Sequence, residues 1–169
     1  LNSSILGEDA TPDTEEFKLF IKEVSKELTT KCGQKCTAIR RIMVPENLME
    51  DVQIALGQRL AGTVIGNPET EGVRMGALAG KDQMREVREQ VDKLLKENEI
   101  VYGTLDGEFD VQGADANKGS FMSPLLLRNS DPFNKTAVHE IEAFGPVSTL
   151  IPYANLDEAI ELTKMGMGS

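Results

Sequence analysis

The sequence predicts an α/β fold in which helices pack on a mainly parallel sheet. Segments with helical periodicity alternate along the chain with short β-rich runs, and this alternation is typical of parallel sheets with helical connections. The 169 residues are enough for one domain with a sizeable core. No internal repeat or low-complexity stretch interrupts the pattern.

The amino-terminal half predicts two helices on either side of a strand. Asp13 can cap the first helix, with Glu16 three residues later, and apolar residues follow at helical spacing. A β-rich run over 38–44 is expected to stop at Pro45. A second helix with one apolar side is predicted over 46–60.

The carboxyl-terminal half continues the alternation. A short strand over 64–68 runs into a turn, a third helix covers 81–98, and the glycine-rich stretch 106–119 is expected to form an exposed loop. Further strands are predicted over 100–102, 121–127 and 147–153, followed by a helix capped by Asn155 with Leu156, Ala159, Ile160 and Thr163 on one face.

Composition limits the partners. The formal net charge is −10, which argues against nucleic-acid binding, because a basic surface would be expected there. No apolar run is long enough to cross a bilayer. We therefore expect neither nucleic acid nor membrane as a partner.

The cysteine and histidine content argues against a structural disulfide framework or a metal site. Two cysteines, Cys32 and Cys36, are too few for the first. His139 is the only histidine, so a zinc site would lack ligands. Reduced thiols and a cytoplasmic compartment are expected, and His139 is interpreted as structural or exposed rather than catalytic.

Cys36 is the candidate nucleophile. The thiolate is the reactive form of cysteine, and the neighbouring cations of Lys35, Arg40 and Arg41 could favour it. Gly33 allows a sharp turn, so that the thiol and its own amide can face a cleft. An amide at the nucleophile is a natural donor to an oxyanion.

Other interpretations stay open from the residue pattern. For Cys32, a buried and inert packing role is the favoured interpretation. For Cys36, a packing role and a catalytic role are about equally supported by the residue pattern. Glu142 is most simply a surface acid, and the residues 144–146 a transition from core to turn. The chain could then be a non-catalytic acidic α/β binding or assembly module with a buried structural cysteine. A redox switch through a Cys32–Cys36 bond is weaker, because Gly33 interrupts a regular helix.

Two segments together resemble the aldehyde dehydrogenase superfamily. Residues 33–36 read Gly-Gln-Lys-Cys and are similar to its nucleophile motif, and residues 142–147 match its later Glu-x-Phe-Gly-Pro-Val motif. The match covers nearly the whole chain. It implies a three-layer αβα catalytic domain with a mainly parallel sheet, and residues 1–169 as a single domain of that type.

The resemblance also implies a mechanism. The thiolate of Cys36 attacks an aldehyde, the Cys36 amide and an upstream asparagine hold the oxyanion, and hydride passes to NADP or NAD. A glutamate then activates water to release the acid from the thioester. Glu142 is expected to bind the nicotinamide ribose, and Phe144 to pack near the nicotinamide.

A narrower resemblance concerns the substrate. Residues 1–7, 29–42 and 138–144 look like the dehydrogenase part of the bifunctional ring-opening proteins of bacterial phenylacetate degradation. Dehydrogenases for coenzyme A semialdehydes of benzoate degradation are a close alternative. The resemblance implies a coenzyme A-linked semialdehyde as substrate, NADP as acceptor and a homo-oligomeric parent protein.

Both ends of the chain look cut, so a fragment is expected. By the resemblance, the general-base glutamate and the dinucleotide-binding domain would precede Leu1, and any hydratase domain would follow Ser169. The chain is therefore expected to be inactive in isolation, although Cys36 can still be alkylated.

Overall fold

Five strands form one sheet in the computed structural model, which describes residues 1–167. The strands are β1 (Ser3–Ile5), β2 (Arg41–Pro45), β3 (Glu99–Tyr102), β4 (Leu125–Arg128) and β5 (Val147–Tyr153). Their spatial order is β1-β2-β5-β4-β3. Every neighbouring pair is parallel except β3 with β4, so the predicted mainly parallel sheet is confirmed.

Helices cover both faces of the sheet. They are α1 (Glu15–Thr29), α2 (Met49–Ala61), α3 (Lys81–Leu94), the single turn α4 (Ala137–Glu140) and α5 (Leu156–Met165). Side chains alternate between the faces of a strand, so Ile42 and Val44 pack with α1 and α2, whereas Met43 packs with α5. On the same side as α5, Leu125 and Leu127 pack against α3. The three-layer αβα arrangement is thus confirmed.

The cap of α1 lies one residue later than predicted. The hydroxyl of Thr14, not the carboxylate of Asp13, accepts a hydrogen bond from the Phe17 N–H at 3.2 Å. Asp13 instead accepts one from the Thr11 hydroxyl at 2.7 Å. The prediction was wrong because either side chain can serve as a cap, and the turn before the helix decides which one points at the amide.

Several boundaries in the first half differ from prediction. The second strand begins at Arg41 and includes Pro45, which pairs with Tyr153. A 3₁₀ turn over Glu46–Leu48 precedes α2. Residues 64–68 form only isolated bridges, from Ile65 to Met75 and from Gly66 to Gln112. These differences arise from pairing with distant segments, which local patterns do not encode.

In the second half, β5 spans the predicted residues and Asn155 caps α5 by accepting from the Glu158 N–H at 3.1 Å. The third helix ends at Leu94, and β4 begins at Leu125. The buried face of α5 consists of Ala159 and Leu162, whereas the predicted Leu156 and Ile160 are exposed. The strand β1 and the turn α4 were not predicted, because three and four residues carry no readable periodicity.

The polarity of the sheet sets the position of the candidate site. Strands β1, β2, β4 and β5 are parallel, so their amino ends share one edge. The segments 33–40 and 142–146, which lead into β2 and β5, meet at this edge. Ligands of open parallel sheets usually bind at the opposite, carboxyl edge, so fold class by itself would have indicated the wrong side.

Candidate active site

A left-handed loop ends α1 and leads to the candidate nucleophile. Lys31, Cys32 and Gly33 follow one another with φ of 52°, 54° and 64°, a region that non-glycine residues rarely adopt. The buried Cys32 thiol donates to the Gly76 carbonyl at 2.8 Å. This contact anchors the strained segment to the loop before α3.

Cys36 lies at the tip of a turn. The Ala38 N–H donates to the Lys35 carbonyl at 3.1 Å, which leaves Cys36 and Thr37 as exposed central residues. The Cys36 carbonyl accepts from Asn2 Nδ2 at 2.5 Å. Within residues 1–167 the Cys36 N–H donates to no acceptor, so this amide is available to a developing oxyanion.

The two cysteines have different environments. Cys32 is 1% exposed and packs in the second core cluster. Burial raises the pKa of its thiol to about 11, so it serves as packing, as expected. Cys36 is exposed, and both thiols are free. The module interpretation, which required a buried Cys36, therefore loses its premise.

The two sequence motifs are in backbone contact. A Cβ atom at Gly33 would lie 2.2 Å from the carbonyl oxygen of Gly145 and 2.8 Å from its carbonyl carbon. No side chain fits in that space, and Gly33 also has positive φ. Glycine at position 33 is thus required both by the turn and by the approach of the second motif.

Arg40 clamps the two motifs together. Its Nη2 donates to the Gly33 carbonyl and its Nη1 to the Gly145 carbonyl, each at 2.6 Å. Its Nε donates to Glu142 Oε1 at 3.3 Å, and the guanidinium lies 5.3 Å from the centre of the Phe144 ring. Burial lowers the pKa of Arg40, whereas the hydrogen bond and charge of Glu142 raise it.

Gln34 makes a second bridge between the motifs. Its Nε2 donates to the Phe144 carbonyl at 3.2 Å, and its Oε1 accepts from the Ala79 N–H at 2.8 Å. Sequence reasoning assigned no role to Gln34 and a different role to Arg40. The available signal was their position, since Gln34 lies within the first motif and Arg40 four residues after Cys36.

The cations near Cys36 in sequence have other partners. Lys35 Nζ pairs with Glu27 at 2.7 Å, and Arg40 forms the clamp described above. Arg41 points towards α5, where its Nη1 donates to the Leu162 carbonyl at 2.7 Å. All three side chains that could favour the thiolate are thus engaged by a carboxylate or by carbonyl groups.

His139 has a structural role, as expected. It is 1% exposed, its Nδ1 lies 3.1 Å from Arg41 Nη1, and its Nε2 lies 2.9 Å from the Pro132 carbonyl. Since Arg41 can only donate, Nδ1 accepts and Nε2–H donates, which is the neutral ring. Burial lowers the pKa of His139, the Pro132 carbonyl raises it and the Arg41 charge lowers it again.

Glu142 and Phe144 form one wall of an open cleft. Their exposed fractions are 46% for the Glu142 side chain and 43% for Phe144. The cleft has a volume of about 150 Å³, and its opposite wall comes from α3, including Gln83 and Gln90. An exposed carboxylate fixed on one oxygen, beside an exposed ring, fits a sugar hydroxyl next to a flat heterocycle.

Neither a metal centre nor a membrane span is present in the part of the chain that the structure describes. Across residues 1–167, His, Cys, Asp and Glu side chains form no group of three or more that could hold a metal ion. In the same residues, every helix is too short or too polar to cross a bilayer.

Replacing Arg40 with methionine is expected to lower the free energy of unfolding by about 3 kcal/mol, because the Gly33 and Gly145 carbonyls lose a buried charged donor. Urea unfolding followed by circular dichroism measures the change. Arg128→Met is the control: its side chain is 31% exposed and pairs with Glu50 at 3.6 Å, so a loss of about 1 kcal/mol or less is expected. Equal losses would contradict the clamp.

Known proteins with the same sequence pattern or fold are aldehyde dehydrogenases. A 3,4-dehydroadipyl-CoA semialdehyde dehydrogenase from Aromatoleum evansii is 44% identical over 169 residues, which is 100% of this chain and 33% of that protein. A betaine aldehyde dehydrogenase variant from Staphylococcus aureus, solved with NAD⁺, has a TM-score of 0.82 at 25% identity. The match covers 97% of this chain and 31% of that protein. Aldehyde dehydrogenase C from Pseudomonas syringae, solved as a mutant with NAD⁺ and octanal, has a TM-score of 0.74 at 26% identity. The match covers 97% of this chain and 32% of that protein.

The chain spans about a third of the length of these relatives. The pattern of the aldehyde dehydrogenase family matches residues 4–165. This match covers both motifs and all five strands but for the first residue of β1. The resemblance inferred from residues 33–36 and 142–147 is therefore confirmed, and the chain belongs to the aldehyde dehydrogenase family.

Proposed function

We propose that this chain supplies the catalytic thiol of an NAD(P)-dependent aldehyde dehydrogenase that oxidises a coenzyme A-linked semialdehyde. The observation that carries the proposal is the exposed Cys36, on a loop that Arg40 holds against Glu142 and Phe144. The NAD⁺ complexes of the two structural relatives support the cofactor class. The 44% identity to a coenzyme A semialdehyde dehydrogenase supports the substrate class.

The chemistry begins at the sulfur of Cys36. The thiolate adds to the aldehyde carbon, a C–S bond forms, and the carbonyl oxygen becomes an alkoxide that accepts from the Cys36 N–H. The aldehyde hydrogen then leaves as hydride, with both electrons of its bond, and a thioester on Cys36 remains. Water adds to the thioester, the C–S bond breaks, and the products are the carboxylate, one proton and the free thiol of Cys36.

Glu142 and Phe144 are the residues that would hold the dinucleotide. The Glu142 carboxylate would accept hydrogen bonds from ribose hydroxyls, and Phe144 would pack near the nicotinamide. When bound, the dinucleotide supplies the hydride acceptor. Arg40 contributes by fixing the orientation of both side chains, since it bonds one and lies over the ring of the other.

We assign the remaining parts of the site to a longer protein that would contain this chain. The chain spans about a third of its relatives, so the general-base glutamate and most of the dinucleotide-binding region are assigned to segments outside it. NADP is the acceptor predicted by the narrower resemblance, with NAD as the alternative. Assembly of the parent protein as a homo-oligomer stays a prediction.

Thiol labelling of the chain tests the proposal. Cys36 is exposed, whereas Cys32 is buried and has a pKa of about 11. At pH 7.5 we expect iodoacetamide to modify Cys36 at least about 100-fold faster, since the thiolate fraction of Cys32 is minute. Peptide mass spectrometry at timed intervals measures the two rates.

Matched serine variants assign the fast site. Cys36→Ser is expected to abolish rapid labelling, and Cys32→Ser to leave it unchanged. Comparable slow rates at both cysteines in the native chain would remove the support for a catalytic thiol. Fast labelling that persists in the Cys36→Ser variant would show that Cys32 is the reactive thiol and would contradict the proposal.

A further inference from the structure

A basic groove lies along the carboxyl-terminal half of α1, where α2 ends beside it. Its charged lining is Lys22, Lys26, Arg59 and Arg74, and its volume is about 440 Å³. The other lining residues include Ser25, Thr29, Thr30 and Thr63. The chain has a net charge of −10, yet no acidic residue of the described range lines this groove.

Most of these cations have no carboxylate partner. Among residues 1–167, Lys26 pairs with Glu23 at 3.3 Å, whereas Lys22, Arg59 and Arg74 form no salt bridge. Lys26 and Arg59 lie in the last turns of α1 and α2, where a cation favours the helix dipole. Helix ends do not account for Lys22 or Arg74. Neither a salt bridge nor a helix dipole therefore explains the positive charge of these two side chains.

The groove shares the lining residue Arg74 with a cavity beside the loop that leads to Cys36. Arg74 also lines a neighbouring cavity of about 520 Å³, whose wall includes Lys31, Cys32 and Gln34. No acidic side chain from the described part of the chain lines that cavity either. A ligand that is held in the groove and extends past Arg74 would therefore lie beside Lys31 and Gln34, in the segment that precedes Cys36.

We propose that the basic groove binds the phosphate groups of coenzyme A, the carrier of the aldehyde. Guanidinium and ammonium groups donate strong hydrogen bonds to phosphate, and the hydroxyls of Thr30 and Thr63 add neutral donors. The 3′-phosphate and diphosphate lie in the groove, and the pantetheine arm follows the second cavity along the loop that precedes Cys36. The inference rests on the proposed function, because it assigns the carrier of that substrate to a surface.

Calorimetric titration of the chain with coenzyme A tests the inference. Binding is expected to weaken as salt rises, because exposed charges are screened. Dephospho-coenzyme A, which lacks the 3′-phosphate, is expected to bind about tenfold more weakly. NADP⁺, the other phosphorylated adenine nucleotide of the reaction, is expected not to displace coenzyme A; displacement would assign the groove to the cofactor and overturn the inference.

Charge-matched double variants locate the site. Lys22→Gln with Arg74→Gln is expected to weaken coenzyme A binding about tenfold or more. Arg85→Gln with Lys93→Gln removes the same charge from the exposed face of α3 and is expected to leave the affinity unchanged. Equal affinities of the two doubles, or no binding by the native chain at millimolar coenzyme A, would overturn the inference; circular dichroism confirms that both doubles fold.

The result is separable from the proposed function. Coenzyme A binding in the groove does not require the thiol, so the Cys36→Ser chain is expected to bind with native affinity. Binding in the groove with an unreactive Cys36 would refute the catalytic proposal and leave the groove assignment standing. A reactive Cys36 without coenzyme A binding would refute the groove assignment and leave the catalytic proposal standing.

Discussion

In the full-length enzyme proposed above, replacing Cys36 with serine is expected to slow aldehyde-dependent formation of NAD(P)H by about four orders of magnitude or more. A serine hydroxyl is far less nucleophilic than a thiolate, and no other exposed thiol lies in residues 1–167 to replace it. The absorbance of the reduced nicotinamide follows the reaction. The variant should still fold, since Cys36 sits at an exposed turn.

Cys32→Ser is the matched control for that experiment. The position is 1% exposed, and its thiol donates to the Gly76 carbonyl at 2.8 Å. Serine keeps a donor of nearly the same size, so activity within about threefold of the native value is expected. Substantial activity in Cys36→Ser, or an equal loss in both variants, would exclude Cys36 as the nucleophile.

Gly33→Ala is expected to lower the free energy of unfolding by about 4 kcal/mol. Its Cβ would lie 2.2 Å from the Gly145 carbonyl oxygen, so backbone must move against backbone. A positive φ of 64° adds strain for any residue with a Cβ. Urea unfolding measures the loss, and labelling of Cys36 in the same variant reports whether the loop has moved.

Gly72→Ala separates the two causes of that loss. Gly72 has a positive φ of 87°, but no atom lies within 4 Å of the Cβ that alanine would add. Only the backbone strain remains, so a loss of about 1 kcal/mol is expected. Similar losses at both glycines would mean that the contact between Gly33 and Gly145 does not hold the motifs together.

The sequence predicted the elements that depend on local chemistry. The apolar run of β5 and the Asn155 cap are set by residues adjacent in the chain, and both were found as predicted. The strand expected over 38–44 begins later, at Arg41, because its pairing with the distant strand β5 starts there, opposite Thr149. Such long-range contacts leave no periodic trace in the sequence.

The candidate site was only partly predictable for the same reason. Cys36, Glu142 and Phe144 were identified from motif resemblance, whereas their physical connection through Arg40 and Gln34 emerged only from the fold. Charge proximity along the chain did not reveal the ion-pair partner of Lys35, which is Glu27. The basic groove joins α1, α2 and the loop at Arg74, which are remote in sequence.

The Arg40 clamp has a thermodynamic consequence. One guanidinium holds Glu142 with one nitrogen and the Gly33 carbonyl of the thiol loop with another. A ligand that shifts Glu142 therefore perturbs the same group that positions the loop. Linkage is reciprocal: the factor by which a dinucleotide changes the affinity of a reversible adduct at Cys36 must equal the factor by which that adduct changes the affinity for the dinucleotide.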